Sequence, residues 1–330
     1  MKLSTLLLSS AALVVAGSAY AADLPAKKGA PAAKAATGCP AFGAGFFQIP
    51  GGDTCTKFSG FARYDIDNDG SAFTQGADAR LTVDARNNSE LGAVRSVIRI
   101  DADADGALSA DRAFVEVGGF TAGRKGSQGD ISGTNLNVFG SGLGGGDAIG
   151  ASYKMALGNI NAELGVADNS SGLSDQLDGY ASLSTKAAGA DLTVVGVTHQ
   201  NDIGSGYAVL GRAGFSAGQF GAALFGGYSS GAIAETGAPT GYADSDGTDA
   251  TVGTNFGGEL SLAAGNGTFY VDAVRYTADI AGTSDSVTSY GVGYAATVAK
   301  GLTVTPEFTT ADDTADTTSN TFRIRIQRDF

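Results

Sequence analysis

The sequence predicts an all-β chain: a 16-stranded antiparallel transmembrane β-barrel, closed between its first and last strands. Three observations carry this. The carboxy-terminal run TFRIRIQRDF alternates with a period of two, putting Phe322, Ile324, Ile326 and Phe330 on one face, interrupted by Arg328. Arg323, Arg325, Gln327 and Asp329 fall on the other, which is the signature of a strand with one greasy and one polar face. Such a strand leaves an exposed apolar edge unless it pairs with the first strand and closes the sheet. The amino terminus, MKLSTLLLSSAALVVAGSAYA, reads as a secretory signal, with Lys2, an apolar run from Leu6 to Ala19, and the small-residue cleavage site Ala19-Tyr20-Ala21. Beyond it, no apolar run approaches the roughly 18 to 20 residues of a spanning helix, and closed barrels are the other backbone arrangement that lipid tolerates.

Composition narrows the class further. Fifty-one glycines, six prolines, no tryptophan and 17% charged residues do not suit a helical enzyme. A net charge of -13 argues against nucleic acid as a partner, which calls for a basic surface. The expected organisation is a signal peptide at 1–21, a flexible periplasmic lead-in at 22–38 rich in Ala, Pro and Lys, a disulfide-closed segment at 39–55, and a barrel from 56 to 330. Cys39 and Cys55 are the only cysteines. They lack CxxC spacing and partner histidines, so in an exported chain they read as a disulfide, which stabilises the fold by about 3 kcal/mol in the chain-entropy picture.

Taken in order, the first strand, TKFSGFARYD, places Phe58, Ala62 and Tyr64 outward and Lys57, Ser59 and Arg63 inward. RLTVDAR sets Leu81, Val83 and Ala85 against Arg80, Thr82, Asp84 and Arg86. GAVRSVIRID sets Val94, Ile98 and Ile100 against Arg95 and Arg99, and DRAFVEV and GFTAGR follow across Gly118-Gly119. Strands are expected near 56–65, 79–86, 92–101, 111–117, 119–125, 148–157, 159–167, 178–186, 190–199, 206–216, 218–228, 250–264, 268–278, 286–299, 302–310 and 320–330. Sixteen is an even number, as single-chain bacterial barrels require. Gly158, Ala217, Asn266-Gly267 and Lys300-Gly301 read as tight turns, alternating with longer loops rich in Asp, Gly and Ser. With the short turns at the periplasmic side, both chain ends fall there. Tyr207 with Phe215, Phe220 with Tyr228, and Phe322 with Phe330 are same-face pairs eight residues apart. At about 3.3 Å per residue and a tilt near 40°, each spans roughly 20 Å, the separation of two interfacial girdles.

CPAFGAGFFQIPGGDTC, RAFVEVGGFTAGR and the closing RIRIQRDF together resemble the porins of alpha-proteobacterial (Rhizobiales and Brucella-type) outer membranes. The resemblance is dense at both ends of the chain. It implies a homotrimer in the bacterial outer membrane, with an inward-folding third outer loop that narrows the channel. Here that loop, Lys125 to Asp147, carries Asp130 and Asp147 as its only acids, and it departs from the aromatic, acidic segment of those proteins. Constriction and a simple surface loop are both open.

The first chemical candidate is a fan of arginines. Arg63, Arg80, Arg86, Arg95, Arg99, Arg112 and Arg124 lie on the first five strands, and Arg323, Arg325 and Arg328 on the last, which closure brings beside the first. Most have lumenal parity, and such a wall creates a transverse field that orders water and anions. The alternative is that they solvate a polar interior, paired with Asp84, Asp101 and Glu116. Arg328 has lipid-facing parity and reads as a rim residue reaching for headgroups. DIDNDG (Asp65 to Gly70) and DADADG (Asp101 to Gly106) begin like calcium loops, but the twelfth positions are Gly76 and Arg112 where a Glu is needed. With Asp244, Asp246, Asp312, Asp313 and Asp316 they read as acidic outer loops that bridge to lipopolysaccharide through divalent ions. No metal site or cofactor is expected. His199 is the only histidine and has no nucleophile motif near it, and SGLGGGDAIG follows no strand-to-helix pattern, so no catalytic residue is assigned.

The expected function is passive diffusion of ions and small hydrophilic solutes through a water-filled channel, with outer-membrane lipid and lipopolysaccharide around it. The rivals are a plugged barrel serving surface display or adhesion, and a secreted calcium-loaded solenoid, for which no short repeat is found.

Overall fold

The computed structural model describes residues 37–48, 50–125, 148–168, 177–200, 205–231, 250–280, 283–313 and 318–330. Two short strands, β1 (Thr37–Gly38) and β2 (Phe47–Gln48), precede sixteen long ones. These are β3 (Cys55–Asn68), β4 (Phe73–Ser89), β5 (Gly92–Ala102), β6 (Leu108–Val117), β7 (Phe120–Lys125), β8 (Ala148–Leu157), β9 (Ile160–Asp168) and β10 (Asp178–Ala187). Then come β11 (Ala190–Gln200), β12 (Ser205–Ala217), β13 (Phe220–Gly231), β14 (Ala250–Ala264), β15 (Gly267–Ile280), β16 (Thr283–Ala299), β17 (Leu302–Asp313) and β18 (Thr318–Asp329). Each long strand pairs antiparallel with the next, and β18 pairs with β3 from Phe322↔Asn68 to Asp329↔Phe61, closing the barrel. Every strand expected from periodicity is present, some longer than expected, as with the one at 79–86, which runs from Phe73 to Ser89.

The connections explain why this sequence winds into hairpins. Two-residue turns join β4 to β5, β6 to β7, β8 to β9, β10 to β11, β12 to β13, β14 to β15 and β16 to β17, so all seven lie at one end of the barrel. Both chain ends of the barrel, Cys55 and Asp329, lie at that same end. At Ala188-Gly189 both turn residues have positive φ, 49° and 82°, the combination that matches the right-handed twist of a hairpin. Two turns sit one residue away from their expected places: Gly218-Gln219 follows Ala217, and Gly265-Asn266 precedes Gly267.

Faces follow the period of two. Phe58, Leu81, Ile98, Val115, Phe120, Tyr153, Leu164, Leu183, Tyr207, Phe220, Leu260 and Phe322 are exposed on the outside, as a lipid-facing surface requires. Inside, the sequence reading expects polar residues, but one sector differs. Tyr180, Val195, Val197, Ala208 and Leu210 share the lumenal face of β10 to β12 and form a buried apolar cluster. The run LTVVGV is apolar at nearly every position, so its parity does not reveal which side is wet.

The cystine-closed segment docks at the turn end. Cys39 and Cys55 are bonded with 6.1 Å between their Cα atoms. Phe46 packs on the cystine, and β2 adds to β3 through Phe47↔Thr56 and Gln48↔Cys55. Thr37 and Gly38, placed by the sequence reading in the flexible lead-in, pair instead with Gln48 and Phe47, because the disulfide holds the two stretches side by side. Residues 1–36 lie outside the described residues, and so do 126–147 with Asp130 and Asp147.

The aspartate-rich stretches divide between strand and loop. Asp65 and Asp67 belong to β3 and Asp101 to β5, all facing the lumen, so they are not outer-loop residues as the sequence reading has it. Asp69 is a loop residue whose carboxylate accepts from Ala72 N–H at 2.9 Å, Ser71 Oγ at 2.7 Å and Ser71 N–H at 2.8 Å. Those bonds, the Ala72 amide first, hold its pKa down at about 2.

Candidate functional site

The site is the lumenal wall of β18 and β3 to β6. Period-two alternation aims Arg323 and Arg325 of β18 inward, and closure sets them opposite Asp67 and Asp65 of β3. Arg325 grips Asp65 with Nε and Nη2, both at 2.9 Å, and Arg323 grips Asp67 at 2.6 and 3.1 Å. One strand on, Arg63 donates twice to its cross-strand neighbour Asp78, at 3.0 and 2.8 Å. Arg80 does the same to Asp101, at 2.7 and 2.6 Å. Opposite charges directly across an antiparallel pair are the arrangement a sheet favours.

Two places break that rule, and each is repaired by one aspartate. Arg86 and Arg95 stand directly opposite each other on β4 and β5. Asp84, two residues from Arg86 on the same face, accepts from Arg86 at 2.9 and 2.7 Å and pairs with Arg95 at 3.0 Å. Arg95 also reaches Glu116 at 3.3 Å. Arg99 and Arg112 likewise oppose each other on β5 and β6. The register shifts between Arg99 and Ile100, which leaves Asp111 as an extra residue that pairs with both Arg99 and Arg112.

Thus eight arginines of the expected fan, Arg63, Arg80, Arg86, Arg95, Arg99, Arg112, Arg323 and Arg325, stand on one wall and interlock with seven carboxylates. The guanidiniums stay partly open to the lumen, between 14% and 40% exposed. Aromatic rings stiffen them: Arg63 and Arg80 lie over Phe61 at 5.1 and 5.2 Å, Arg95 over Phe114 at 5.5 Å, and Arg86 over Phe46 of the cystine segment at 4.7 Å. The wall is a ladder of dipoles with nearly balanced charge, so its field is strong close to the surface and falls off faster than that of bare arginines. Arg124 and Arg328 have outward parity, paired with Ile149 and Leu302 respectively.

Two further lumenal groups were missed by the sequence reading. Glu163 of β9 accepts from Lys125 Nζ at 2.5 Å and Tyr180 Oη at 3.0 Å, with Lys154 Nζ at 3.5 Å. Glu259 of β14, Asp272 of β15 and Glu307 of β17 are buried on the lumenal face next to the arginine wall. Parity alone marks each of them as inward, but only the register says which meet. His199 lies in β11, one residue from its end. Among the described residues, no set of three or more His, Cys, Asp or Glu side chains is grouped for a metal ion.

The model of the porin subfamily matches residues 26–326. Porin Omp2a of Brucella ovis is 38% identical over 101 residues, covering 28% of this chain and 29% of that protein. The putative outer membrane protein y4fJ of Sinorhizobium fredii (strain NBRC 101917 / NGR234) is 30% identical over 148 residues, covering 37% of this chain and 42% of that protein. The matched stretches thus span less than half of these relatives. The outer membrane channel DcaP of Acinetobacter baumannii superposes with a TM-score of 0.69 at 13% identity, over 86% of this chain and 99% of that one. An anion-selective porin from Comamonas acidovorans gives 0.63 at 11%, over 84% and 100%.

Proposed function

This chain belongs to the porin subfamily, and on that premise we propose that its barrel encloses a water-filled channel across the bacterial outer membrane. Ions and small hydrophilic solutes pass by diffusion, governed by pore width and by the field of the lumenal wall, without a catalytic step. The observation that carries this reading is the seam: a barrel closed by ion pairs on its inner face and by apolar residues on its outer face separates water from lipid. Arg63, Arg80, Arg86, Arg95, Arg99, Arg112, Arg323 and Arg325 are the pore wall in this account, and paired carboxylates temper any anion preference they impose. The exposed rings near the turn end, Phe58, Phe215, Phe220 and Phe330, fit contact with outer-membrane lipid headgroups. Asp69, Asp103 and Asp105, between strands at the other end, fit bridging to lipopolysaccharide through divalent ions. A homotrimer follows the family.

Liposome swelling tests the reading. Entry of neutral sugars at rates that fall with molecular size supports an open pore. A second reading, a plugged barrel for surface display, is favoured by the lumenal cluster of Tyr180, Val195, Val197, Ala208 and Leu210, which is buried although it faces the barrel interior. Correctly folded protein that admits no sugar selects that reading.

A further inference from the structure

We propose that Lys154, Asn161, Ser182 and Ser184 form a solute-binding subsite on the lumenal wall of β8 to β10. It suits small solutes that carry one carboxylate and several hydroxyls, as sugar acids do. The four side chains come from two adjacent rows of the sheet, Lys154↔Glu163↔Ser182 and Ala156↔Asn161↔Ser184. They share the parity of Glu163 and Tyr180, so all of them face the channel. They line a cavity of about 410 Å³, edged by Gly118-Gly119 of the turn between β6 and β7. A Cβ on Gly119 would lie 2.3 Å from the Lys154 carbonyl oxygen, so only glycine lets this turn pack flush against β8. Lys154 stands three residues from the end of β8, which places the subsite toward the turn end of the pore.

The charges around this cavity do not cancel. Glu163 Oε1 is held by Lys125 Nζ at 2.5 Å and by Tyr180 Oη at 3.0 Å. Lys154 Nζ stands farther off, 3.5 Å from Oε2, and its side chain is 53% exposed. Two ammonium groups thus face one carboxylate, and the looser of them lines the cavity. Lysine carries a compact charge on a flexible stem, so its head can swing to an arriving carboxylate, unlike the two-armed guanidiniums of the arginine wall. Beside it, Asn161 is exposed and Ser182 and Ser184 are half-buried, and their amide and hydroxyl groups both donate and accept, as a polyhydroxylated solute requires. Two strand spacings by two residues along a strand give a field of roughly 10 by 7 Å, the size of a six-carbon sugar acid. A simple carboxylate engages the lysine alone and a neutral sugar the hydroxyl groups alone, so a solute with both features binds best.

The inference rests on the channel reading for the route by which a solute arrives, but its test does not. The refolded full chain in detergent is titrated calorimetrically with sodium glucuronate, glucose and sodium acetate at fixed ionic strength. Glucuronate should bind saturably and several-fold more tightly than glucose or acetate. K154Q should bring glucuronate down to the level of glucose. S182A/S184A should weaken glucuronate several-fold while leaving acetate unchanged, and it keeps the test alive where K154Q folds poorly. Equal affinity for the three probes, or unaltered glucuronate affinity in both variants, overturns the subsite. Bilayer recordings on the same samples read the channel separately. Conducting steps without saturable glucuronate binding reject the subsite alone, whereas binding without steps rejects the channel alone.

Discussion

Arg325 and Asp65 form a two-armed ion pair across the barrel seam, 2.9 Å on each arm, although 260 residues separate them in the chain. Arg63 Nε stands 3.7 Å from the same carboxylate, and Arg323–Asp67 repeats the pairing two residues away. Strand closure is thus recognised by charge as well as by backbone bonds.

Replacing Arg325 with alanine leaves Asp65 largely buried and short of its main donor. Full burial would make this about 3–5 kcal/mol, and the partial exposure of the pair reduces it to about 1–3 kcal/mol. Urea unfolding in detergent should show that loss, and D65N/R325A should recover part of it. Equal, additive losses in the cycle would deny the pair any role at the seam.

The last residue is bound as tightly as the strand before it. Gly60 and Phe330 exchange backbone hydrogen bonds, both 3.1 Å, and a Cβ on Gly60 would lie 1.9 Å from the Arg80 carbonyl oxygen and 3.0 Å from the Phe330 ring. G60A should therefore refold slowly or incompletely, by the shift between folded and unfolded gel mobility. F330A, which keeps the backbone bonds, should be milder.

Much of this was legible in the sequence, and the reasons are specific. Alternation in RLTVDAR and TFRIRIQRDF fixes which residues face inward, because one side meets lipid and the other water. Symmetry about a two-residue turn then fixes partners: Arg80 and Asp101 are equidistant from Glu90-Leu91, and so are Glu259 and Asp272 from Gly265-Asn266. Asp111 was not legible, because a bulge changes the residue count on one strand only. Nor was the wet side of LTVVGV, where both faces are apolar. The seam pairs needed the register of β18 on β3, which no local turn sets.

The disulfide holds the segment at 39–55 against Arg86 and the turn end of the wall. Closing a loop of this size stabilises by about 3 kcal/mol in the chain-entropy picture. Dithiothreitol should lower the urea midpoint of the unaltered chain accordingly and leave C39S/C55S unchanged.

Asp69 makes the loop between β3 and β4 sensitive to acid. Its carboxyl titrates at about 2 when folded, below the ordinary 3.8, so its support of the loop is complete above pH 3.8 and is lost as pH falls through about 2. Carboxyl chemical shifts should place its midpoint there, and S71A should raise it.

The wall itself makes a signed prediction. D101N removes the carboxylate that grips Arg80 and should move the reversal potential in a salt gradient toward anions, whereas R80Q should move it toward cations. Shifts of the same sign would contradict the ladder of paired charges.

The most direct measurement is single-channel conductance of the refolded chain in a planar bilayer. Stable steps, scaling with bulk salt conductivity as an aqueous pore requires, are the predicted result. A folded, inserted barrel that passes no current would contradict the channel and leave a closed wall around a filled interior.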